Sequence, residues 1–437
     1  MKLPVPAQFA IMGLLLVLVG IFQSWSVALA ILNLCLISSV MALGVNIQWG
    51  YAGLFNVGIM GFAALGGVGA MLVSVPPVRE AWAAGGLQVI GSGLLVLAVI
   101  AAVVFARRTL EGRTRSLATV ALVAGGYFLV RAVFDPAVDA IEAVDPAKSG
   151  FLGGLGLPII FSWGIGGVFA AGAAWVVGKI ALGLRSDYLA IATLGISEII
   201  IAILKNEDWL TRGVKNVSGL PRPVPLEINL IQSPWFTDLS ARIGADPVAF
   251  AGIFVKLCYA ALFTIVLLAI LWLSQRALHS PWGRMMRAIR DNRDAAEAMG
   301  KDVTKRHLQT FVLGSAVVGI AGAMLVTIDG QFTPGTYNPL RYTFLIWVMV
   351  IVGGSGNNYG SVLGGFLIWF LWIQAEPAGL WLMNVLTMPL AEGSALKAHL
   401  LQAAPHLRLF LMGLILLLVL RFSPRGLIPE ETGRKAA

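Results

Sequence analysis

Charged residues are scarce in this chain. Only 12% of its 437 residues are Asp, Glu, Lys or Arg, whereas soluble domains carry about 25%. Hydrophobic residues make up 58% of the chain, and the mean hydropathy is +0.84. A surface this apolar is unstable in water, so the composition excludes an ordinary soluble globular protein and favours a multi-spanning membrane protein.

Cysteine and histidine are also rare. Cys35 and Cys258 each lie in an apolar run, and the four histidines show no metal-ligand spacing, so neither a disulfide framework nor a zinc site is expected. No P-loop, G-x-S-x-G, H-E-x-x-H or C-x-x-C motif occurs. We therefore expect no ATPase, nucleophile elbow, zinc protease or redox pair in this chain. The net charge of +9 does not indicate nucleic acid as a partner, because in an apolar chain it bears mainly on membrane topology.

Long apolar runs dominate the chain. A helix of about 20 mostly apolar residues crosses a hydrocarbon core of about 30 Å. The runs predict an all-α polytopic membrane helix bundle of about 10–12 spans, which forms a single domain over 1–437. The tenth and eleventh runs are short and flank a Gly-rich turn, so they can form a broken or re-entrant pair. The twelve runs lie near 8–23, 27–45, 54–74, 87–106, 116–134, 158–181, 188–204, 248–274, 307–328, 343–354, 360–374 and 405–421.

The charges between the runs predict the direction of each crossing. The loop at 275–306 carries eight Lys or Arg against four acidic residues, whereas the loop at 205–247 carries five of each sign. Because basic loops stay on the cytoplasmic side, the first loop is predicted inside, the second outside and both chain ends inside. Ala28-Leu29-Ala30 resembles a signal-peptide cleavage site, but a second apolar run overlaps it, so we expect an uncleaved first helix.

The cytoplasmic loop at 275–306 contains a short charged helix from Arg290 to Met299. Gly300 suits its C-terminus, and Asp291 or Asn292 can cap its N-terminus. A solvated loop with surface salt bridges would show similar charges, so the charges alone leave its role open. Pairs four residues apart support a solvent-facing helix, namely Arg290 with Asp294, Arg293 with Glu297, and Glu297 with Lys301.

Several segments carry a family resemblance. Asp294-Ala295-Ala296, followed after three residues by Gly300, resembles the E-A-A-x-x-x-G motif of ABC importer permeases, with Asp in the first position. The resemblance to LivM-type permeases of branched-chain amino acid ABC importers covers about two thirds of the chain. The section 76–157 is longer than is typical and has no counterpart. The similar segments are 49–53, 183–198, 218–223, 283–325, 352–357 and 421–427.

This resemblance implies a heteromeric importer in the bacterial inner membrane. Its other members would be a second homologous permease, two ATPase subunits that hold ATP and Mg²⁺, and an extracytoplasmic solute-binding protein; this chain itself would need no cofactor. Solutes of the wider family include branched-chain and other amino acids, urea and short amides. The short helix would be a coupling helix that docks on an ATPase subunit. The ATPase-coupling residues would be Arg290, Asp291, Arg293, Asp294, Ala295, Ala296, Glu297 and Gly300.

Two ionisable residues are candidates for the translocation pathway. Glu198 and Lys256 lie about 9 and 12 Å from the predicted outer ends of their runs, so their depths match. Ionisable groups at such depth are usually paired or face a polar cavity. We predict that the two side chains pair. In the alternative, Lys256 extends outward and Glu198 meets a backbone group or water.

Asn56 and two glycines complete the candidate pathway. Asn56 can interrupt the third run beside a cavity, because irregular backbone in a membrane must be buried or wetted. Gly356 and Gly360 belong to the ridge Gly356-x-x-x-Gly360-x-x-x-Gly364, and a second ridge is Ser315-x-x-x-Gly319-x-x-x-Ala323. Such ridges let helices approach closely, so simple packing explains them as well as a place beside the pathway does.

Three other functional classes stay open. An ion-coupled secondary transporter of small polar solutes would show inverted repeats and buried mid-membrane carboxylates, whereas only Glu198 is a clear mid-span acid here. A membrane-embedded enzyme would need a convergent set of His, Asp or Cys within the spans. A scaffold subunit without transport would differ from an importer in its partners.

Overall fold

The computed structural model describes residues 3–146, 149–390 and 394–430. Within these ranges ten helices are long and apolar enough to cross a membrane, and two shorter apolar helices accompany them. Each of the twelve predicted runs is therefore a helix, and the prediction of an all-α polytopic bundle is confirmed. The predicted position of the two chain ends concerns residues outside these ranges.

Fourteen helices of the described residues are numbered in chain order. Twelve of them form the bundle and the hairpin attached to it. A short α-helix, Arg79–Ala81, and a π-helical turn, Trp82–Gly86, lead into the fourth helix. The last helix follows Ala395–Ala403 and a 3₁₀ turn, Ala404–His406. The helices are α1 (Val5–Phe22), α2 (Trp25–Ala52), α3 (Ile59–Ser74), α4 (Leu87–Thr109), α5 (Gly112–Glu142), α6 (Ile159–Ala181), α7 (Ser186–Asn206), α8 (Pro247–His279), α9 (Pro281–Asp291), α10 (Arg293–Ala298), α11 (Val303–Asp329), α12 (Pro339–Gly353), α13 (Asn358–Thr387) and α14 (Leu407–Phe422). The remaining two, α9 and α10, lie in the loop between α8 and α11.

The long connection between α7 and α8 contains short elements. Three short α-helices (Asp208–Thr211, Glu227–Gln232 and Pro234–Ile243) and a 3₁₀ turn (Gly213–Lys215) lie there. It also supplies β1 (Val217–Ser218), which pairs in antiparallel fashion with β2 (Gln331–Phe332) after α11. In register, Val217 lies opposite Phe332. The β pair therefore ties this connection to the end of α11.

Polar caps mark where several helices begin. The Asp246 carboxylate accepts the backbone N–H of Ala249 at 2.9 Å at the start of α8. The side chain of Asn338 accepts the N–H of Arg341 at 3.1 Å at the start of α12. The first N–H groups of a helix have no partner inside it, so these side chains satisfy them. The caps define the helix starts through local chemistry.

Helix α11 lies at the centre of the bundle, against α2, α3 and α6. Its contacts with these helices are close backbone approaches at glycine. A Cβ on Gly44 would lie 2.7 Å from the carbonyl oxygen of Gly314, and one on Gly319 would lie 2.7 Å from that of Gly166. Membrane helices approach this closely only through small residues. The predicted ridge through Gly319 is therefore confirmed as a packing surface.

The section 76–157 forms a helical hairpin of α4 and α5. Most side chains of both helices are exposed, as expected for helices that face lipid. The hairpin joins the rest of the chain at one end, where Ala81, Ile141 and Leu152 form a separate apolar cluster. The backbone N–H of Trp209 also donates to the Glu142 carboxylate at 3.2 Å there.

Two faces of the bundle are distinguished by what lies on them. The face that carries α9 and α10 is here named the α10 face; the connectors 53–58 and 354–357 and the segment 423–430 meet there. The opposite face, named the far face, carries β1 and β2 and the connection between α11 and α12.

Candidate functional site

Helix α9 is held against the bundle on the α10 face. The Ser280 hydroxyl accepts the N–H of Gly283 at 3.3 Å, and Pro281 occupies the first helical position, so α9 starts directly where α8 ends. Its apolar side chains face inward: Met286 and Ile289 are buried. α9 is therefore an amphipathic helix whose apolar side rests on the bundle.

Helix α10 is shorter than the sequence predicts. Asn292 has extended backbone, so α9 and α10 are separate and Arg290 and Asp291 belong to α9. Of the two predicted caps, Asn292 is the one used, and its side chain accepts the N–H of Ala295 at 3.0 Å. The predicted helix end at Gly300 is confirmed, because α10 ends just before it and Gly300 has a φ of +74°.

One of the three predicted side-chain pairs forms. Arg293 and Glu297 lie 3.2 Å apart, as the four-residue spacing predicts. The predicted pair between Arg290 and Asp294 does not form, because Asn292 interrupts the helix and the Arg290 side chain turns into the bundle. Among the described residues, Glu297 and Lys301 form no ion pair, since the chain leaves the helix between them.

The outer surface of α10 is free of contacts with the bundle. Ala296 is buried against the bundle, whereas Met299 is 79% exposed at the tip. Helix α10 thus presents small and charged side chains around one protruding apolar residue, and it lies between α9 and α11. The other predicted coupling residues exposed on this surface are Asp291, Arg293, Asp294, Ala295, Glu297 and Gly300.

Arg290 connects α9 with two distant parts of the chain. Its guanidinium donates to the carbonyl oxygen of Gly50 near the end of α2 and lies 2.9 Å from the Glu430 carboxylate. It also lies 3.2 Å from Asp291. The Arg290 and Glu430 side chains are 22% and 16% exposed, so this pair is better shielded from water than the pair between Arg293 and Glu297. We name these contacts the Arg290 junction.

The turn between α12 and α13 adjoins the Arg290 junction. The N–H of Gly356 donates to the side chain of Asn46 at 2.8 Å, and Gly356 has a φ of +82°. Gly356 therefore lies in the turn and outside the predicted ridge, whereas Gly360 and Gly364 of that ridge lie on α13 and approach α12 closely. Gly360 is on α13 and packs on α12, where a Cβ would lie 2.6 Å from the carbonyl oxygen of Gly353.

Asn56 lies in the connector 53–58 between α2 and α3. It is buried, and its amide donates to the Gln48 side chain at 2.9 Å, while its side-chain oxygen accepts the N–H of Gly58 at 2.9 Å. The predicted interruption of the apolar run is thus present, and side chains satisfy part of its irregular backbone. The indole N–H of Trp347 donates to the Asn56 carbonyl at 3.1 Å, which joins this connector to α12.

Three aromatic rings pack together beside the connector. The ring centroids of Phe55 and Trp347 are 4.6 Å apart, and those of Trp49 and Trp347 are 5.2 Å apart. Trp49 precedes Gly50, whose carbonyl oxygen accepts from Arg290. We name these three rings the aromatic trio. Trp49 lies next to the Arg290 junction in the sequence, and Trp347 belongs to α12, so the trio joins the junction to α12.

Glu198 and Lys256 do not pair. The ammonium group of Lys256 donates to the hydroxyl of Ser26 and to its backbone carbonyl, the latter at 3.2 Å, and Glu198 is exposed on α7. Within the described part of the chain no ion pair joins the two side chains. The predicted pair is wrong because the start of α2 offers Lys256 oxygen acceptors.

The sequence-based prediction missed the partners of Arg290. Glu430 lies 140 positions away, beyond the last apolar run, and no local pattern points to it. A second contact that was missed joins Asn46 and Asn358, whose side chains form a hydrogen bond of 3.0 Å. The sequence carries a usable signal for this contact, because amides inside apolar helices need a partner.

The known proteins that this chain resembles are permease proteins of branched-chain amino acid transport. LivM of the high-affinity branched-chain amino acid transport system of Salmonella typhimurium is 30% identical over 210 residues, 47% of this chain and 48% of that protein. The probable LivM of Methanocaldococcus jannaschii is 25% identical over 308 residues, 70% of this chain and 77% of that protein. LivH of Salmonella typhimurium is 26% identical over 207 residues, 47% of this chain and 61% of that protein.

These alignments are partial, whereas the family match is nearly complete. The chain spans about half the length of the Salmonella and Escherichia coli LivM proteins it matches. No solved structure matches the chain. The family described as "Branched-chain amino acid transport system / permease component" matches residues 27–420. The chain is an integral membrane protein and belongs to this family of transport permeases.

Proposed function

We propose that this chain is a membrane-spanning permease subunit of an ABC importer for branched-chain amino acids or related small solutes. The family match over residues 27–420 is the observation that carries the proposal. The names of the relatives indicate the solute class, since LivM and LivH are both permease proteins of branched-chain amino acid transport.

The proposed partners follow from the same family. A second homologous permease completes the channel, two ATPase subunits bind ATP and Mg²⁺, and an extracytoplasmic binding protein supplies the solute. This chain contributes no cofactor site of its own to the scheme. The complex would lie in the inner membrane of a bacterium, with the α10 face and both chain ends in the cytoplasm. The basic loop at 275–306, which carries α9 and α10, supports this orientation.

The proposed coupling element is α10 with the residues beside it. A capped helix held between α9 and α11 transmits displacement better than a flexible loop, because its backbone hydrogen bonds resist bending. The exposed Met299 at the tip suits a cleft on another protein. Movement of α9 would reach α2 through the contact between Arg290 and Gly50.

Two substitutions test this role. Gly300→Val imposes a positive φ on a β-branched residue, and Glu297→Lys reverses a charge and breaks the pair with Arg293. We expect each to lower solute-stimulated ATP hydrolysis of the reconstituted importer by about tenfold or more, since a misfit of roughly 1.4 kcal/mol has that effect. Insertion of the chain into the membrane should be unchanged.

The hairpin provides matched controls. Gly112 has a φ of +59° and, like Gly300, open space around its Cβ position, and Glu111 is an exposed acid beside it. Gly112→Val imposes the same backbone strain as Gly300→Val, but the hairpin tip is not part of the proposed coupling element, so Gly112→Val and Glu111→Lys should leave stimulated hydrolysis within about twofold of wild type. Wild-type hydrolysis rates in Gly300→Val and Glu297→Lys would contradict the coupling role of α10.

A further inference from the structure

A cavity of about 210 Å³ lies between α2, α3, α11, α12 and α13. Ile37, Met41, Met60 and Ile346 provide much of its wall, so the wall is largely apolar. Sites for drug-sized molecules measure about 300–1,000 Å³. The cavity is smaller than these sites, so it fits a solute the size of an amino acid.

The mouth of the cavity lies on the far face. Asp329, which lines the cavity, is the last residue of α11, and Tyr337 in the following connection lines it too. α11 begins beside α10 and has 27 residues, so Asp329 is about 40 Å along the helix from the α10 face. In the proposed orientation a binding protein would deliver its solute at this mouth.

Two polar groups in the cavity wall have no partner within the described part of the chain. Asp329 is exposed and forms no ion pair there, and the indole N–H of Trp369 is buried without a hydrogen-bond acceptor. Burial and the Asp329 carboxylate raise the pKa of Tyr337, so its phenol stays neutral and the negative charge at the mouth belongs to Asp329. A buried donor without an acceptor is rare and calls for an explanation such as a bound molecule.

The aromatic trio lies between the cavity and the α10 face. Ile346 lines the cavity, and the next residue, Trp347, belongs to the trio. Met60, another wall residue, follows the connector 53–58 that contains Phe55. A solute in the cavity is therefore covered by the trio on the side of the Arg290 junction.

We propose that this cavity is the solute site and that it binds an α-amino acid with a branched apolar side chain. The solute ammonium pairs with the Asp329 carboxylate, and the solute carboxylate accepts the indole N–H of Trp369. The apolar side chain packs against Met41, Met60 and Ile346. The inference rests on the proposed importer function, and it adds that the permease itself recognises the ammonium group and the carboxylate of the amino acid.

The test uses the complete importer in vesicles, with its binding protein, and measures labelled leucine uptake together with ATP hydrolysis. Asp329→Asn removes the charge, and Ser38→Leu fills the cavity from α2. We expect each to lower leucine uptake by about tenfold or more, because a lost charged hydrogen bond or a blocked site has at least that effect. Recovery of the assembled complex should match wild type.

Two control variants lie away from the cavity. Asp238→Asn changes an exposed acid on the far face, and Ser92→Leu changes a buried serine in α4. Both should keep leucine uptake within about twofold of wild type, as expected for substitutions outside the site. Equal losses in the variants of Asp238 and Asp329 would show a general effect of charge and overturn the proposed role of Asp329.

A third variant tests whether the cavity wall recognises the solute or only supports the fold. Met41→Ala enlarges the cavity, so uptake of phenylalanine relative to leucine should rise by about tenfold, since roughly 1–3 kcal/mol separates side chains of different size in one pocket. A purely structural role would lower both rates equally. An unchanged ratio, or wild-type uptake by Asp329→Asn, would overturn the inference alone. Wild-type vesicles that take up no amino acid would overturn the proposed function and the inference with it.

Discussion

Arg290 shows how one side chain links separate parts of this protein. Its guanidinium reaches the end of α2 through Gly50 and the C-terminal segment through Glu430. A guanidinium offers several donors in a fixed plane, so it can hold a carbonyl and a carboxylate together. A single side chain therefore joins α9 to both segments.

Removal of this side chain should destabilise the α10 face. Arg290→Ala leaves the poorly exposed Glu430 carboxylate without its cation, and we expect a loss of roughly 1–3 kcal/mol in the free energy of unfolding. Thermal unfolding of the purified chain in detergent would measure the loss. Combining Arg290→Ala with Glu430→Gln should cost less than the sum of the two single substitutions, because both remove the same contact.

The matched control for this pair is the exposed ion pair on α10. Arg293 and Glu297 are about half exposed, so Arg293→Ala should cost less than about 1 kcal/mol. Equal losses for Arg290→Ala and Arg293→Ala would refute the special role of the Arg290 junction.

Helix α10 depends on the residues at its two ends for its stability. With six residues it is too short to be stable alone, so its cap and its neighbours hold it together. The Asn292 side chain satisfies the N–H of Ala295, and Gly300 lets the backbone turn toward α11. The charged pairs on its surface are secondary to these two ends.

Loss of the cap should loosen α10 without affecting the membrane helices. Asn292→Ala removes a capping bond worth about 1 kcal/mol. We expect amide hydrogens of α10 to exchange about fivefold faster, since that energy shifts local opening by this factor. Hydrogen exchange with mass spectrometry would record it. Asn292→Asp retains a capping oxygen and should behave like wild type, so equally fast exchange in both variants would count against the cap.

At the scale of the whole molecule, the bundle and the hairpin of α4 and α5 differ in how they are attached. The helices of the bundle pack closely through glycine contacts around α11, whereas the hairpin is attached at its end near Ala81 and Ile141. A Cβ on Gly85 would lie 2.5 Å from the carbonyl oxygen of Ala137, so the two ends of the hairpin meet. We therefore expect the bundle to pack without the hairpin.

Deleting the hairpin tests this division. Replacing 88–135 by a short Gly-Ser linker removes two crossings, so the direction of every later helix is kept. We expect the unfolding temperature of the purified chain in detergent to change by less than about 5 °C, because few of the lost side chains are buried. A similar deletion of α6 and α7 should prevent folding, and an equal effect of both deletions would disprove the independence of the hairpin.

The sequence alone determined the local features. Apolar runs become helices in a membrane whatever surrounds them, because the backbone must satisfy its own hydrogen bonds there, so the helices of all twelve runs were predictable. The cap at Asn292, the helix end at Gly300 and the pair between Arg293 and Glu297 depend on residues within a few positions of one another. The same holds for the interruption of the third run near Asn56.

Only the tertiary structure decided which distant residues meet. Glu430 and Gly50 lie 140 and 240 positions from Arg290, and Ser26 lies 230 positions from Lys256. These contacts depend on how helices pack rather than on any periodicity. For the same reason the predicted pair between Glu198 and Lys256 failed. The cavity beside Asp329 likewise exists only where five helices converge, because a local sequence pattern carries no information about the space between helices.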